Sequence, residues 1–276
     1  MNRIKRIKVA QDTLKILTKG YYRHASGETV DISRSQKLAE ESSVLYTPNQ
    51  LETVINTLEI IPTAAPTAFE VNGLTTLDSV RKEAPSSNNI VCLNFASARK
   101  PGGGFRNGSQ AQEESIARAS GLYPCLMNCG LYYTANKTSR PGFYTHHMIY
   151  SPAVPIFKYE TGELMEQPIL VSVITAPAVN MGVIKRRAPD SISLVAPEMR
   201  KRIDMVLAIC YQKGYDTLIL GAWGCGVFQN DPRVIAELFH HMLTGKYKNA
   251  FRKVVFSVYA KDKRFISPFL NLFEKS

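Results

Sequence analysis

The chain has 276 residues, 45% of them hydrophobic and 21% charged, with a formal net charge of +11. That length suits one large domain or two modest ones. The composition argues against extensive disorder, and no apolar run reaches the ~18 residues of a membrane helix, so a soluble protein with no membrane partner is expected. The positive charge favours anionic partners such as nucleic acid, phosphorylated metabolites or acidic lipid, although a merely basic surface accounts for it equally well.

In chain order, residues 1–19 are basic and amphipathic without an apolar signal segment, which predicts an ordinary helix. Residues 20–66 are mixed, with turn signals at Gly27 and at Pro48-Asn49. "TAFEVNG" (67–73) alternates like a strand, and 75–84 reads as a helix capped by Thr75 or Thr76. A loop at 86–89 leads to a buried strand at 90–96 and a helix at 112–126. Strands are predicted at 146–152 and 169–177, and a long amphipathic helix at 195–214 ends at a glycine. A strand at 216–223, a helix at 231–243, a strand at 253–260 and a closing helix at 266–275 complete the pattern. Apolar strands alternating with helices predict an α/β/α domain over 67–276. Residues 1–66 are expected to form a mostly helical N-terminal extension packed on it.

The five cysteines, Cys92, Cys125, Cys129, Cys210 and Cys225, are sparse and odd in number, with no C-x-x-C pair. They read as reduced thiols in a cytoplasmic protein. Cys125 and Cys129 stand one helical turn apart, and zinc would need two further donors. The pairs His146-His147 and His240-His241 are poor candidates, because neighbours on a strand point opposite ways. No metal is expected.

Chemistry concentrates in "PGGGFRNGSQAQEE" (101–114), between a buried strand and a helix. Loops beyond strand ends are where α/β sheets bind ligands, and glycines let the backbone come close. Gly103 to Gly108 has P-loop spacing, but Ser109 and Gln110 stand where lysine and a hydroxyl residue are required, which excludes that motif. A second glycine loop, "GAWGCGVFQNDP" (221–232), also follows an apolar strand. Its amides around Cys225 can form an anion nest, and Phe228 offers an aromatic face. Two such units on a basic chain predict a ligand containing a pyrophosphate.

Glu113 and Glu114 follow the first loop at the start of a helix and diverge by about 100°, so they serve different tasks. Acids are common in a first helical turn for the dipole alone. Beside a glycine loop, an acid pair also suits glycoside cleavage, which needs one carboxyl to protonate the leaving oxygen and a base to activate water. Burial would raise a carboxyl pKa and the helix dipole would lower it, so the sequence leaves the sign open.

The stretch "LNFASARKPGGGFRNGSQAQEESIARASGLY" resembles the signature of bacterial-type poly(ADP-ribose) glycohydrolases: a GGG loop, a spacer of six to eight residues, then Q-E-E. Here Gly102-Gly103-Gly104, seven residues and Gln112-Glu113-Glu114 fit it, and "ITAPAVN" (174–180) and the second loop are also similar. The resemblance implies a macrodomain, with a mixed, mainly parallel sheet between helices and no cofactor or metal. It implies poly(ADP-ribose) or ADP-ribosylated protein as substrate, ADP-ribose as product, and a monomer. It makes Glu114 the catalytic acid. Glu113 would orient ribose hydroxyls with help from Gln112, and Asn94 would bind the distal ribose. Gly102–Gly104 and the loop of Gly224, Cys225, Gly226, Val227 and Phe228 would hold the diphosphate, with Phe228 against the ribose. The runner-up activities are hydrolysis of mono-ADP-ribosyl conjugates and recognition of ADP-ribose without cleavage, against which the retained acid pair argues. The segment 136–147 is a candidate wall for the region beyond the adenosine ribose.

Overall fold

The computed structural model describes residues 1–87 and 89–274. Asn88 of the expected 86–89 loop and residue 275 of the expected closing helix lie outside the described residues.

The predicted N-terminal helix is α1 (Arg3–Lys19), capped by the Asn2 side chain and ended by Gly20 at φ +79. A small antiparallel hairpin follows, β1 (Tyr21–Arg23) and β2 (Thr29–Asp31), with Gly27 in its turn. Next come α2 (Ser33–Glu41), the short strand β3 (Val44–Tyr46) and α3 (Pro48–Thr57). The Pro48-Asn49 signal is therefore a helix start: Thr47 and Gln50 form a capping box around Pro48.

β4 (Ala68–Asn72) leads to α4 (Thr76–Glu83), where Thr75 rather than Thr76 is the cap. β5 (Ile90–Phe95) and the first glycine loop lead to α5 (Gln112–Ala119). The expected single helix over 112–126 is broken. Ser120 is extended and bridges to Ile156, and Gly121 donates its N–H to Pro155 O before α6 (Leu122–Asn128) begins. α7 (Gly130–Lys137), which periodicity did not reveal, completes this layer.

β6 (Met148–Lys158) and β7 (Leu164–Ala176) form a long hairpin, well beyond the predicted strands. Pro152 and Pro155 obscured β6 in the sequence; a register shift between Ser151 and Val154 absorbs the disruption. After α8 (Met181–Arg187) come α9 (Val195–Gln212), β8 (Thr217–Leu220), α10 (Pro232–Thr244), β9 (Lys253–Ser257) and α11 (Ser267–Phe273).

The main sheet runs β3-β6-β7-β5-β8-β9-β4. Pairings from β7 through β5, β8 and β9 to β4 are parallel, and β3-β6 and β6-β7 are antiparallel. The sheet is mixed and mainly parallel, as expected. Alternate strand residues feed two cores. Val91, Leu218 and Val254 pack with α3, α9, α10 and α11, while Cys92, Ile219 and Val255 pack with α2 and α4 to α7. Each such fully buried apolar side chain contributes roughly 1.5–3 kcal/mol.

The 1–66 segment, expected to pack on the domain, contributes β3 as an edge strand of the main sheet and packs α3 on α9. α1 is likewise bolted on. The fully buried Lys158 ammonium donates to Val9 O, Asp12 Oδ2 (2.8 Å) and Thr13 Oγ1 (2.8 Å). None of the helices among the described residues is long and apolar enough to cross a membrane.

Candidate active site

β5 and β8 are parallel neighbours, so the glycine loops that follow them emerge side by side from the same sheet edge. Between them lies a cleft of about 1120 Å³. It takes its acid pair from the first turn of α5 and its far wall from the second loop.

The first loop is shaped for the carboxylates. Gly103 has φ +60, and a Cβ there would lie 2.4 Å from Glu114 Oε1 and 3.1 Å from Glu113 Oε2. Both acids therefore converge on the space that this glycine leaves empty. Glu114 is partly exposed to the cleft and accepts a hydrogen bond from Gly104 N (2.9 Å). Gly102, at φ +64, sits too close to the Phe105 ring and Ala117 to carry a side chain. At Gly104 a Cβ would collide with the Ser109 side chain, so the three adjacent glycines answer three separate steric demands.

Glu113 is buried, with Oε2 accepting from Ser97 N (2.7 Å) and Oε1 from Asn94 Nδ2 (3.4 Å). Burial, with the nearby Glu114 charge adding to it, pushes its pKa up to about 8, against the lowering effect of the Ser97 and Asn94 donors. The sign that the sequence left open is upward for this residue, and it falls on Glu113.

Gly103, Gly104, Gln112, Glu113, Glu114, Gly224, Cys225, Gly226, Val227 and Phe228 all line the cleft. Asn94 and Gly102 do not. Asn94 is fully buried behind Glu113 and donates to Thr175 Oγ1 (3.1 Å), so it props the carboxylate instead of meeting the cleft surface. Gln112 spends its amide on the protein: its oxygen accepts from Phe95 N (2.8 Å), and its nitrogen donates to Leu93 O (2.7 Å) and Thr76 Oγ1 (3.0 Å). It ties α5 to β5 and α4, which fixes where the helix, and hence the acid pair, begins.

The two loops, both expected to hold the diphosphate, differ in which of their amides have protein partners. Gly103 N donates to Lys100 O and Gly104 N to Glu114, so the first loop's amides serve its own fold. In the second loop, the N–H groups of Gly226, Val227 and Phe228 have no protein partner among the described residues. Gly224 (φ +75) is pressed against Ala178 and Asn230, whose side chain holds the turn through Val179 O (2.8 Å) and Gly224 O (3.1 Å). Val227 is 79% exposed, and the Phe228 ring meets Tyr144 at 6.0 Å, which brings the 136–147 segment to this rim. Cys225 is buried, and burial pushes its thiol pKa up, so it is a wall residue and not a nucleophile.

Several residues escaped the sequence reading. Ser97 presents its N–H to Glu113, and Trp223 lines the cleft fully buried, its indole N–H without a partner among the described residues. Tyr259 and Phe265 line the cleft beyond β9. The available signal was positional: each follows a strand of the parallel run at its C-terminal end. Among the described residues no group of three or more His, Cys, Asp or Glu could hold a metal ion. His146 pairs with Glu198 (3.1 Å) and neighbours the buried Arg202; burial first, then the Arg202 charge, lower its pKa to about 4.

The microbial-type PARG catalytic domain family matches residues 10–159. Among solved structures, the chain is similar to the poly(ADP-ribose) glycohydrolase of Thermomonospora curvata, with 38% identity and a TM-score of 0.94 over 98% of this chain and 100% of that one. The same enzyme bound to the inhibitor ADP-HPD gives 36% identity and 0.90 over 99% of each. The Deinococcus radiodurans poly(ADP-ribose) glycohydrolase in complex with ADP-ribose gives 38% and 0.83 over 87% of this chain and 97% of that one. No match was found among curated protein sequences. The glycine-bounded acid pair, the sheet order and these likenesses agree, and the chain belongs to the microbial-type poly(ADP-ribose) glycohydrolase family.

Proposed function

We propose that this chain hydrolyses the ribose–ribose O-glycosidic bonds of poly(ADP-ribose) and releases ADP-ribose. The observation that carries the reading is the convergence of Glu113 and Glu114 on Gly103 at a cleft whose opposite loop presents unpartnered amides.

The diphosphate of the terminal unit rests on the Gly226, Val227 and Phe228 amides, which suit an anion. Phe228 packs against the distal ribose. Glu114 gives a proton to the departing ribose 2′ oxygen as the bond to the anomeric carbon breaks. It then takes a proton from the water that adds to that carbon, which restores the acid. Glu113, largely protonated below pH 8, orients a ribose hydroxyl. Asn94 and Ser97 fix its rotamer. Both loops and both acids come from one chain, which supports a monomer as the working unit. All five cysteines are buried and free, which supports a reducing, cytoplasmic setting.

The direct test is Glu114→Gln. It retains ADP-ribose binding by calorimetry and loses chain cleavage by about 10²–10⁴-fold. Undiminished cleavage by that variant refutes the assignment. Simple recognition without hydrolysis predicts that the unsubstituted protein binds ADP-ribose and releases none from polymer.

A further inference from the structure

α1 reaches the active site, a placement that none of its residues announces in the linear chain. Arg3 Nε donates to Asn107 O (3.1 Å) and Arg6 Nε to Gly108 O (2.7 Å), the two carbonyls that close the first glycine loop. Gly108, at φ +75, leaves only 2.7 Å between a would-be Cβ and Arg3 O, so helix and loop are in direct contact. With Lys158 holding the other side of α1, the helix is fixed at both ends of its first half.

Lys5 lies between these two anchoring arginines and lines the cleft. Its ammonium has no hydrogen bond or ion pair among the described residues, and neither has that of Lys100, which lines the same cleft where the loop begins. Gly103 N donates to Lys100 O, so Lys100 is tied to the bend that seats Glu114. The acids that share the cleft are otherwise engaged. Asp78 pairs with Arg81, and Glu160 is flanked by Thr75, Ser115 and Arg118. Two free cations, one on α1 and one on the first glycine loop, thus line the cleft whose other loop bears the amides assigned to the terminal diphosphate.

We infer that Lys5 and Lys100 form a subsite for the diphosphate of the polymer unit beyond the scissile bond, the leaving-group side. This rests on the glycohydrolase reading and deepens it. A polymer crossing Glu114 away from the second loop presents its next pair of phosphate charges to this side. A mono-ADP-ribosyl conjugate presents none, so the subsite favours polymer. Their backbones are held, Lys5 on an anchored helix and Lys100 through its carbonyl, so little main-chain freedom is lost on binding.

The experiment compares Lys5→Ala, Lys100→Ala and the double variant, measuring KM for purified poly(ADP-ribose) and the inhibition constant of free ADP-ribose. The double variant raises KM roughly tenfold at low salt, with the inhibition constant unchanged; the excess shrinks as salt screens the contact. Lys5→Arg, which keeps the charge, restores most of the loss of Lys5→Ala. Parallel rises in both constants overturn the inference, because the lysines then serve the terminal unit, and so does an unchanged KM. The unsubstituted protein's rate on polymer reports separately on the glycohydrolase reading.

Discussion

Replacing Gly103 with alanine puts a methyl carbon 2.4 Å from Glu114 Oε1 and 3.1 Å from Glu113 Oε2. Ordinary contact begins near 3.4 Å, so the Glu114 carboxylate must withdraw by about 1 Å, breaking its hydrogen bond from Gly104 N. A displacement of that size at a reacting group costs about 10²-fold in rate. The backbone at φ +60 adds strain of about 1–2 kcal/mol for a side-chain-bearing residue. For a chain of this length that lowers Tm by roughly 2–4 °C per kcal/mol. Release of ADP-ribose from polymer, followed with a melting curve and ADP-ribose calorimetry, separates the two effects. The expected result is a folded variant with a modest Tm loss and kcat down by about two orders of magnitude. Gly214→Ala serves as the stability control, since its φ of +74 imposes similar backbone strain while a Cβ there meets nothing within 4 Å and the residue lies outside the cleft. Unimpaired turnover by Gly103→Ala refutes the claim that this glycine exists to seat the acid pair.

Glu113→Gln changes how stability depends on pH. The folded carboxyl holds its proton to about pH 8, while the unfolded one releases it near 4.5. Stability from this group is therefore present below pH 4.5 and lost as pH rises through 8. The glutamine variant gains on the parent across that window, by a few kcal/mol at most, and the gain levels off above pH 8; melting curves from pH 4 to 9 check it, and a gain that shrinks with pH contradicts it. Lys158→Ala removes a buried donor from Val9 O, Asp12 and Thr13 and destabilises by about 2–4 kcal/mol. It also exposes α1 to faster amide exchange than α9, and uniform exchange across both helices speaks against a local anchor. The cysteines are all buried, with burial holding Cys92 and Cys125 near pKa 12, so a thiol reagent labels the native protein far more slowly than the denatured one; fast native labelling contradicts that packing.

The parallel part of the sheet was legible because β5, β8 and β9 are short apolar runs and β4 alternates, with helix signals between them, as at Asp231-Pro232. The β6-β7 hairpin was only half legible, because Pro152 and Pro155 break the alternation and the bulge that tolerates them is a tertiary event. The break between α5 and α6 is tertiary too: Ser120 leaves the helix to pair with Ile156, 36 positions away. In the site, residue types disclosed the acids and the glycine bends. They could not disclose which amides remain free, since Gly104 N and the Gly226–Phe228 amides look alike until the loops close. Asn94 and Gln112 show the same limit, for a polar side chain near a site can serve the ligand or the residue that serves it.

The two loops divide the work in a way that costs folding energy. A soluble domain normally satisfies its buried polar groups. Here Glu113 is buried with a proton it would otherwise release, and among the described residues the Trp223 indole N–H and Asn94 Oδ1 have no partner, while the Gly226–Phe228 amides stay open on an exposed loop. These unmet demands lie in or just behind one cleft. A diphosphate offers acceptors for the amides, and a ribose offers hydroxyls to the acid pair. Ligand binding therefore recovers part of what folding gave up; because ADP-ribose stabilises by RT ln(1 + [L]/Kd), an acid that contributes nothing to affinity gives the parent and Glu113→Gln equal stabilisation by the ligand. With Glu113 engaged by a ribose hydroxyl, the parent binds more tightly and gains more from ADP-ribose than the glutamine variant. The two Tm shifts, measured at equal ligand concentration near pH 7, decide whether the buried proton is there for the sugar.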